Sequence, residues 1–110
     1  MNEPAERVMP VVVELPAEID VTNSGQVYDE LVAALASGVR VVIANLMSTT
    51  FCDSSGVRAI IHANETAIAS NARLQLAVSA EGSVHRVLEL TGAASLMPLY
   101  PSLEEAVKAT

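Results

Sequence analysis

Asp53, Ser54, Ser55 and Gly56 form the densest group of chemically useful residues in the 110-residue chain. A carboxylate, two hydroxyls and a residue without a side chain suit two tasks. The first is local. Asp and Ser are favoured helix N-caps because their oxygens accept backbone amides that the first turn leaves unpaired. The second is recognition. A helix N-terminus at the carboxyl end of a strand carries about half a positive charge, and α/β proteins place their sites there. A glycine at that point lets another molecule approach the backbone closely. Capping needs only one such side chain, so two adjacent serines after the Asp exceed it, and spacing alone leaves both readings open.

The other reactive residues form no comparable constellation. His62 and His85 are the only imidazoles, far apart and without metal-ligand spacing, and they are expected on the surface. Cys52 is the only cysteine, which excludes an internal disulfide framework and a Cys-rich metal site; it reads as a small hydrophobe facing the core. No Walker A stretch or Gly-rich dinucleotide loop occurs, and Cys52-Asp-Ser-Ser-Gly56 lacks the first glycine of G-x-S-x-G. A hydrolase or phosphocarrier built on Ser54 would need a base, and no histidine stands near it in the sequence. No metal ligands and no cofactor are expected.

The elements that position Asp53 to Gly56 follow from hydrophobic periodicity. Residues 8–15 predict a β-branched strand that starts at Pro10 or lies at an edge. A polar connection over 16–24 leads to a helix over 24–37, with Val27, Leu31, Ala34 and Leu35 on one face and Gly38 at its end. The almost continuous apolar run over 39–46 predicts a central strand covered on both sides. A long helix over 54–71 follows, with Val57, Ile60, Ile61 and Ile68 inward and Arg58, His62 and Glu65 outward. A strand over 74–78, a helix over 83–91 ended by Gly92 and a brief strand over 97–99 come next. The last helix opens at Ser102-Leu-Glu-Glu105, a capping box in which each side chain satisfies an orphan amide. Strands separated by helices imply parallel pairing with right-handed crossovers. The fold class is α/β.

Composition narrows the function. Hydrophobic residues make up 51% and aromatic ones 3%, so the core is built from Ala, Val, Leu and Ile. Thirteen acidic against six basic residues give a net charge of −7, and the basic ones are scattered. Nucleic acid and anionic membrane surfaces are therefore poor partners. No apolar run approaches the ~20 residues of a membrane span, and the N-terminal residues lack the pattern of a secretory signal. A cytoplasmic location is expected.

Phe51-Cys-Asp-Ser-Ser-Gly-Val57 resembles the F-x-D-S-S-G-L/V signature of bacterial anti-sigma-factor antagonists, the STAS-domain family. Glu18-Ile-Asp20 resembles the family's G-E-L/I-D turn, with Ala17 where the family has glycine. Leu88-Glu-Leu-Thr-Gly92, Leu96 and Ser102-Leu-Glu-Glu-Ala-Val107 resemble its ending, so the likeness runs over about residues 8–109. It implies one STAS-type domain over residues 1–110, with a mixed, mostly parallel sheet of about four to five strands and about four helices. It further implies a partner switch rather than an enzyme. An anti-sigma factor with serine-kinase activity would phosphorylate Ser54, the unphosphorylated form would bind that kinase, and a serine phosphatase would restore it. The phosphate would accept free amides at the helix start. Partner contacts would come from Asp20, Asp53, Ser55, Gly56, Val57 and Arg58, with Arg58 and Val57 as anchors. A STAS subunit binding the ATPase of a lipid-transport ABC system is the alternative.

Overall fold

The computed structural model describes residues 9–110, so Val8 of the expected first strand lies outside them. The chain runs β1 (Val11–Glu14), β2 (Glu18–Ile19), α1 (Ser24–Leu35), β3 (Val41–Asn45), β4 (Phe51–Cys52) and α2 (Ser54–Ala69). It continues with β5 (Arg73–Ala77), α3 (Ser83–Leu90), a 3-10 turn (Ala93–Ser95), β6 (Leu99–Tyr100) and α4 (Leu103–Lys108).

Four strands form one sheet in the order β1-β3-β5-β6, and every described pairing is parallel. Parallel neighbours need crossovers, and α1, α2 and α3 supply them. The pleat alternates side chains between two cores. Val42, Ala44, Leu74 and Leu76 face α1 and α2, while Val41, Ile43 and Ala77 face α4. All five residues of β3 are buried, as the apolar run predicts for a central strand. Buried Gln75 donates from Nε2 to the Ala106 carbonyl at 3.0 Å, tying α4 to the sheet.

Several expectations are corrected. The polar connection over 16–24 contains β2, which pairs in parallel with β4 as a separate two-stranded ribbon, Glu18 opposite Phe51 and Ile19 opposite Cys52. Two-residue strands are too short to show a period. The strand expected over 97–99 lies at Leu99–Tyr100, and Met97 packs in the core instead. Ile68 is 67% exposed. It follows Ala67, the last buried residue of α2, and one residue step turns a helix face by about 100°. The buried stripe therefore runs along Gly56, Val57, Ile60, Ala63 and Ala67, and its small members Gly56, Ala63 and Ala67 let α2 lie close to its neighbours. Ser102 Oγ accepts from the Glu105 amide at 3.1 Å, but the reciprocal arm of the capping box is not made.

Candidate functional site

The ribbon sets the site. The Asp53 amide donates to the Ile19 carbonyl at 3.1 Å, so the chain leaves β4 in register with β2 and turns directly into α2. The loop before it is stitched down. Thr50 and Phe51 donate their amides to the Ala17 carbonyl, Thr49 Oγ1 to the Pro16 carbonyl at 2.8 Å, and Ser83 Oγ of α3 to the Thr50 carbonyl at 3.1 Å. Asp20 and Asp53 each stand one residue past the paired Ile19 and Cys52. Two acidic residues far apart in sequence are thus neighbours at one end of the ribbon, each at the entrance to a helix.

Their carboxylates are already engaged locally. Asp53 Oδ1 accepts from the Ser55 amide (2.9 Å), the Gly56 amide (3.2 Å) and Ser55 Oγ (2.6 Å). The Ser55 hydroxyl bond foremost, aided by the two amide bonds, holds the Asp53 carboxyl below its ordinary range, against a smaller opposing effect of desolvation. Asp20 Oδ1 accepts from the Thr22 amide at 2.9 Å and from the Thr22 hydroxyl, ordering the turn before α1. Asn23, not Asp20, is the N-cap position of α1.

This accounting separates the two readings that the sequence left open. Asp53 and Ser55 make the cap. Ser54 is exposed, and its hydroxyl has no hydrogen-bond partner among the described residues. Ser54 is therefore the serine that the cap does not use.

Two expected contact residues turn inward. Gly56 is buried, and a Cβ there would stand 2.7 Å from both Cys52 Sγ and Ile19 Cγ2. Its missing side chain admits the ribbon against the first turn of α2 rather than an outside molecule. Val57 is only 3% exposed and packs in the core, so it cannot serve as a surface anchor. Arg58 and His62 are exposed, as expected. They line a groove of about 360 Å³ between α1 and α2, together with Val21, Tyr28 and Ser55. Cys52 faces the core as expected; burial first, and the neighbouring Asp53 charge second, push its thiol up to about 11.

One residue of the surface was missed. Phe51 is 50% exposed beside the site. Its outward orientation follows from alternation in the ribbon, since Cys52 next to it points in. Among the described residues, no cluster of His, Cys, Asp and Glu could hold a metal ion, and no helix is long and apolar enough to cross a membrane.

The STAS domain family model matches residues 3–106, nearly the whole chain. The chain belongs to the STAS domain family. Among solved structures, an anti-sigma factor antagonist from Mycobacterium paratuberculosis is similar with a TM-score of 0.78, at 23% identity over 89% of this chain and 82% of that one. The anti-sigma factor antagonist SpoIIAA, in its unphosphorylated form, has a TM-score of 0.74 at 25% identity, covering 94% and 90%. The phosphorylated form of SpoIIAA, a Bacillus cell fate determinant, gives 0.66 at 26% identity, covering 91% and 89%. A sulfate transporter family protein from Wolinella succinogenes shares the fold, with a TM-score of 0.73 at 15% identity, covering 97% and 91%. Among curated proteins none matches.

Proposed function

We propose that this STAS domain is an anti-sigma-factor antagonist whose docking on an anti-sigma factor with serine-kinase activity is cancelled by phosphorylation of Ser54. The observation that carries this reading is the spare hydroxyl. Asp53 and Ser55 are spent on the cap, and Ser54 is exposed and unbonded at the same turn. The existence of SpoIIAA in unphosphorylated and phosphorylated forms supports it.

In the forward step Ser54 Oγ attacks the terminal phosphorus of ATP held by the kinase. The new O–P bond replaces the bond from that phosphorus to the bridging oxygen, ADP leaves, and the hydroxyl proton passes to a base on the kinase. In the reverse step a serine phosphatase uses water, releasing inorganic phosphate and restoring the hydroxyl. This domain supplies the acceptor and catalyses neither step.

Phosphate adds about −1.5 to −2 charges beside Asp53 and Asp20. A misplaced or unpaired charge buried in an interface costs about 2–5 kcal/mol, which weakens docking roughly 30- to several-thousand-fold. The cap is untouched, so the domain stays folded. The test is to incubate the protein with ATP and an anti-sigma-factor serine kinase from the same organism, then weigh it. One phosphate should be added to the wild type and to Ser55→Ala, and none to Ser54→Ala. Phosphate persisting in Ser54→Ala overturns the assignment. Co-purification with a lipid-transport ATPase instead of a sigma regulator would favour the alternative partner.

A further inference from the structure

The first turn of α2 is poorly supplied with donors for an added anion. Asp53 Oδ1 already takes the Ser55 and Gly56 amides, and the Asp53 amide is used by Ile19. Among the described residues, only the Ser54 amide lacks a partner in this turn. The expectation that a phosphate finds several free amides here is therefore corrected, and a second source of positive charge is needed.

Arg58 is that source. It lies four residues after Ser54 on the same helix, about 40° around the axis, the spacing at which side chains meet. Helical side chains lean toward the N-terminus and cover the preceding turn, which brings Ser54 within reach of the Arg58 side chain from its place on the groove. Arg58 is exposed, and no acidic side chain pairs with it among the described residues. Its planar fork suits a phosphate better than an ammonium would.

We infer that Arg58 clamps the phosphorylated Ser54 within the same helix turn, so that modification both alters the serine and withdraws Arg58 from the docking surface. The clamp rests on the reading of Ser54 as the modified residue. Three other groups act on this phosphate. Asp53 precedes it, Asp20 stands at the end of the neighbouring strand, and both oppose its second ionisation. His62 lies one further turn along α2, on the groove, and assists only when protonated.

The experiment installs phosphoserine at position 54 during translation, so it does not depend on any kinase. The second ionisation of the phosphate is followed by phosphorus NMR in the wild type, Arg58→Gln and Arg58→Lys. Replacing Arg58 by Gln should raise this pKa by about 0.2–0.4 unit, and 0.5 M salt should shrink the difference. Arg58→Lys should fall between them, because it keeps the charge and loses the fork. Identical titrations in the wild type and Arg58→Gln would overturn the clamp. Failure of the kinase to modify Ser54 would overturn the proposed function instead and leave the titration unaffected.

Discussion

Replacing Gly56 by alanine tests how the ribbon is held against α2. Glycine in a helix is worse than alanine by up to about 1 kcal/mol, so local propensity alone predicts stabilisation. The surroundings predict the reverse. The new methyl would stand 2.7 Å from Cys52 Sγ, 2.7 Å from Ile19 Cγ2 and 3.2 Å from Ile19 Cβ. Ile19 is fully buried and Cys52 nearly so, and the Ile19 atoms sit close to backbone fixed by the β2–β4 pairing. The ribbon and the helix must therefore separate. Overpacking of this kind costs about 1–3 kcal/mol; with two contacts under 3 Å the upper half applies, which leaves a net loss of about 1–2 kcal/mol. At roughly 4–8 °C per kcal/mol for a domain of this size, the melting temperature should fall by about 5–15 °C. The assay is a thermal melt by circular dichroism, completed as a cycle with Cys52→Ala, which removes one of the two clashing atoms. The double variant should recover part of the loss, with a coupling of at least about 0.5 kcal/mol. An unchanged or raised melting temperature in Gly56→Ala would refute the packing argument, as would strict additivity with Cys52→Ala.

Other outcomes follow from the same geometry. Asp53→Ala should lower the melting temperature at neutral pH. The folded carboxyl sits below its ordinary value, so its contribution is present above about pH 4 and is lost as pH falls through the lowered value. The gap between wild type and variant should then narrow in acid; a gap constant from pH 7 to pH 2 would contradict the cap. The Cys52 thiol, pushed up to about 11, should react slowly with a disulfide reagent at pH 8 until the protein is unfolded. Because burial favours the neutral thiol, its contribution to stability is complete below about pH 9 and is lost as pH rises through about 11. Equal reaction rates in native and unfolded protein would refute that placement. Phe51→Ala should weaken docking on the proposed partner kinase by about tenfold or more while leaving the circular dichroism spectrum unchanged. Unaltered affinity by calorimetry would remove Phe51 from the docking surface.

The long elements were legible because burial imposes a period over ten or more residues. Val27, Leu31 and Leu35 mark the inner face of α1, and the run over 39–46 marks β3 as central. What escaped was set by tertiary contact. Glu18–Ile19 and Phe51–Cys52 become strands only by pairing with each other across some thirty residues of chain, and neither carries a pattern alone. Ile68 looked inward because it is apolar and roughly in phase. The small Ala63 and Ala67 define the contact stripe instead, because closeness between α1 and α2 favours small side chains. At the site, residue types identified the turn but not the division of labour within it. Whether Asp53 or a serine makes the cap depends on backbone angles, and it is the extended Asp53 that reaches Ser55 and Gly56. The inward role of Gly56 is not legible in the sequence, which does not say which side of a helix the absent Cβ would occupy.

The proposed switch, based on added charge, needs the modified group to be separable from the fold, and the ribbon fits that requirement. If Ser54 itself capped α2, phosphorylation would fray the helix and the loss of docking would be indistinguishable from partial unfolding. Here the cap belongs to Asp53, and the entry to the helix is fixed by amides and hydroxyls from Thr49, Thr50, Phe51 and Ser83 bonded to backbone carbonyls. Removing an exposed hydroxyl without a partner changes stability by no more than about 0.5 kcal/mol. Adding a phosphate there leaves each of those bonds in place. In the proposed switch the repulsion from Asp53 and Asp20 is present in the free and docked domain alike, and the further cost of desolvating the phosphate falls on the docked complex, so a single modification acts on binding while the domain keeps its fold.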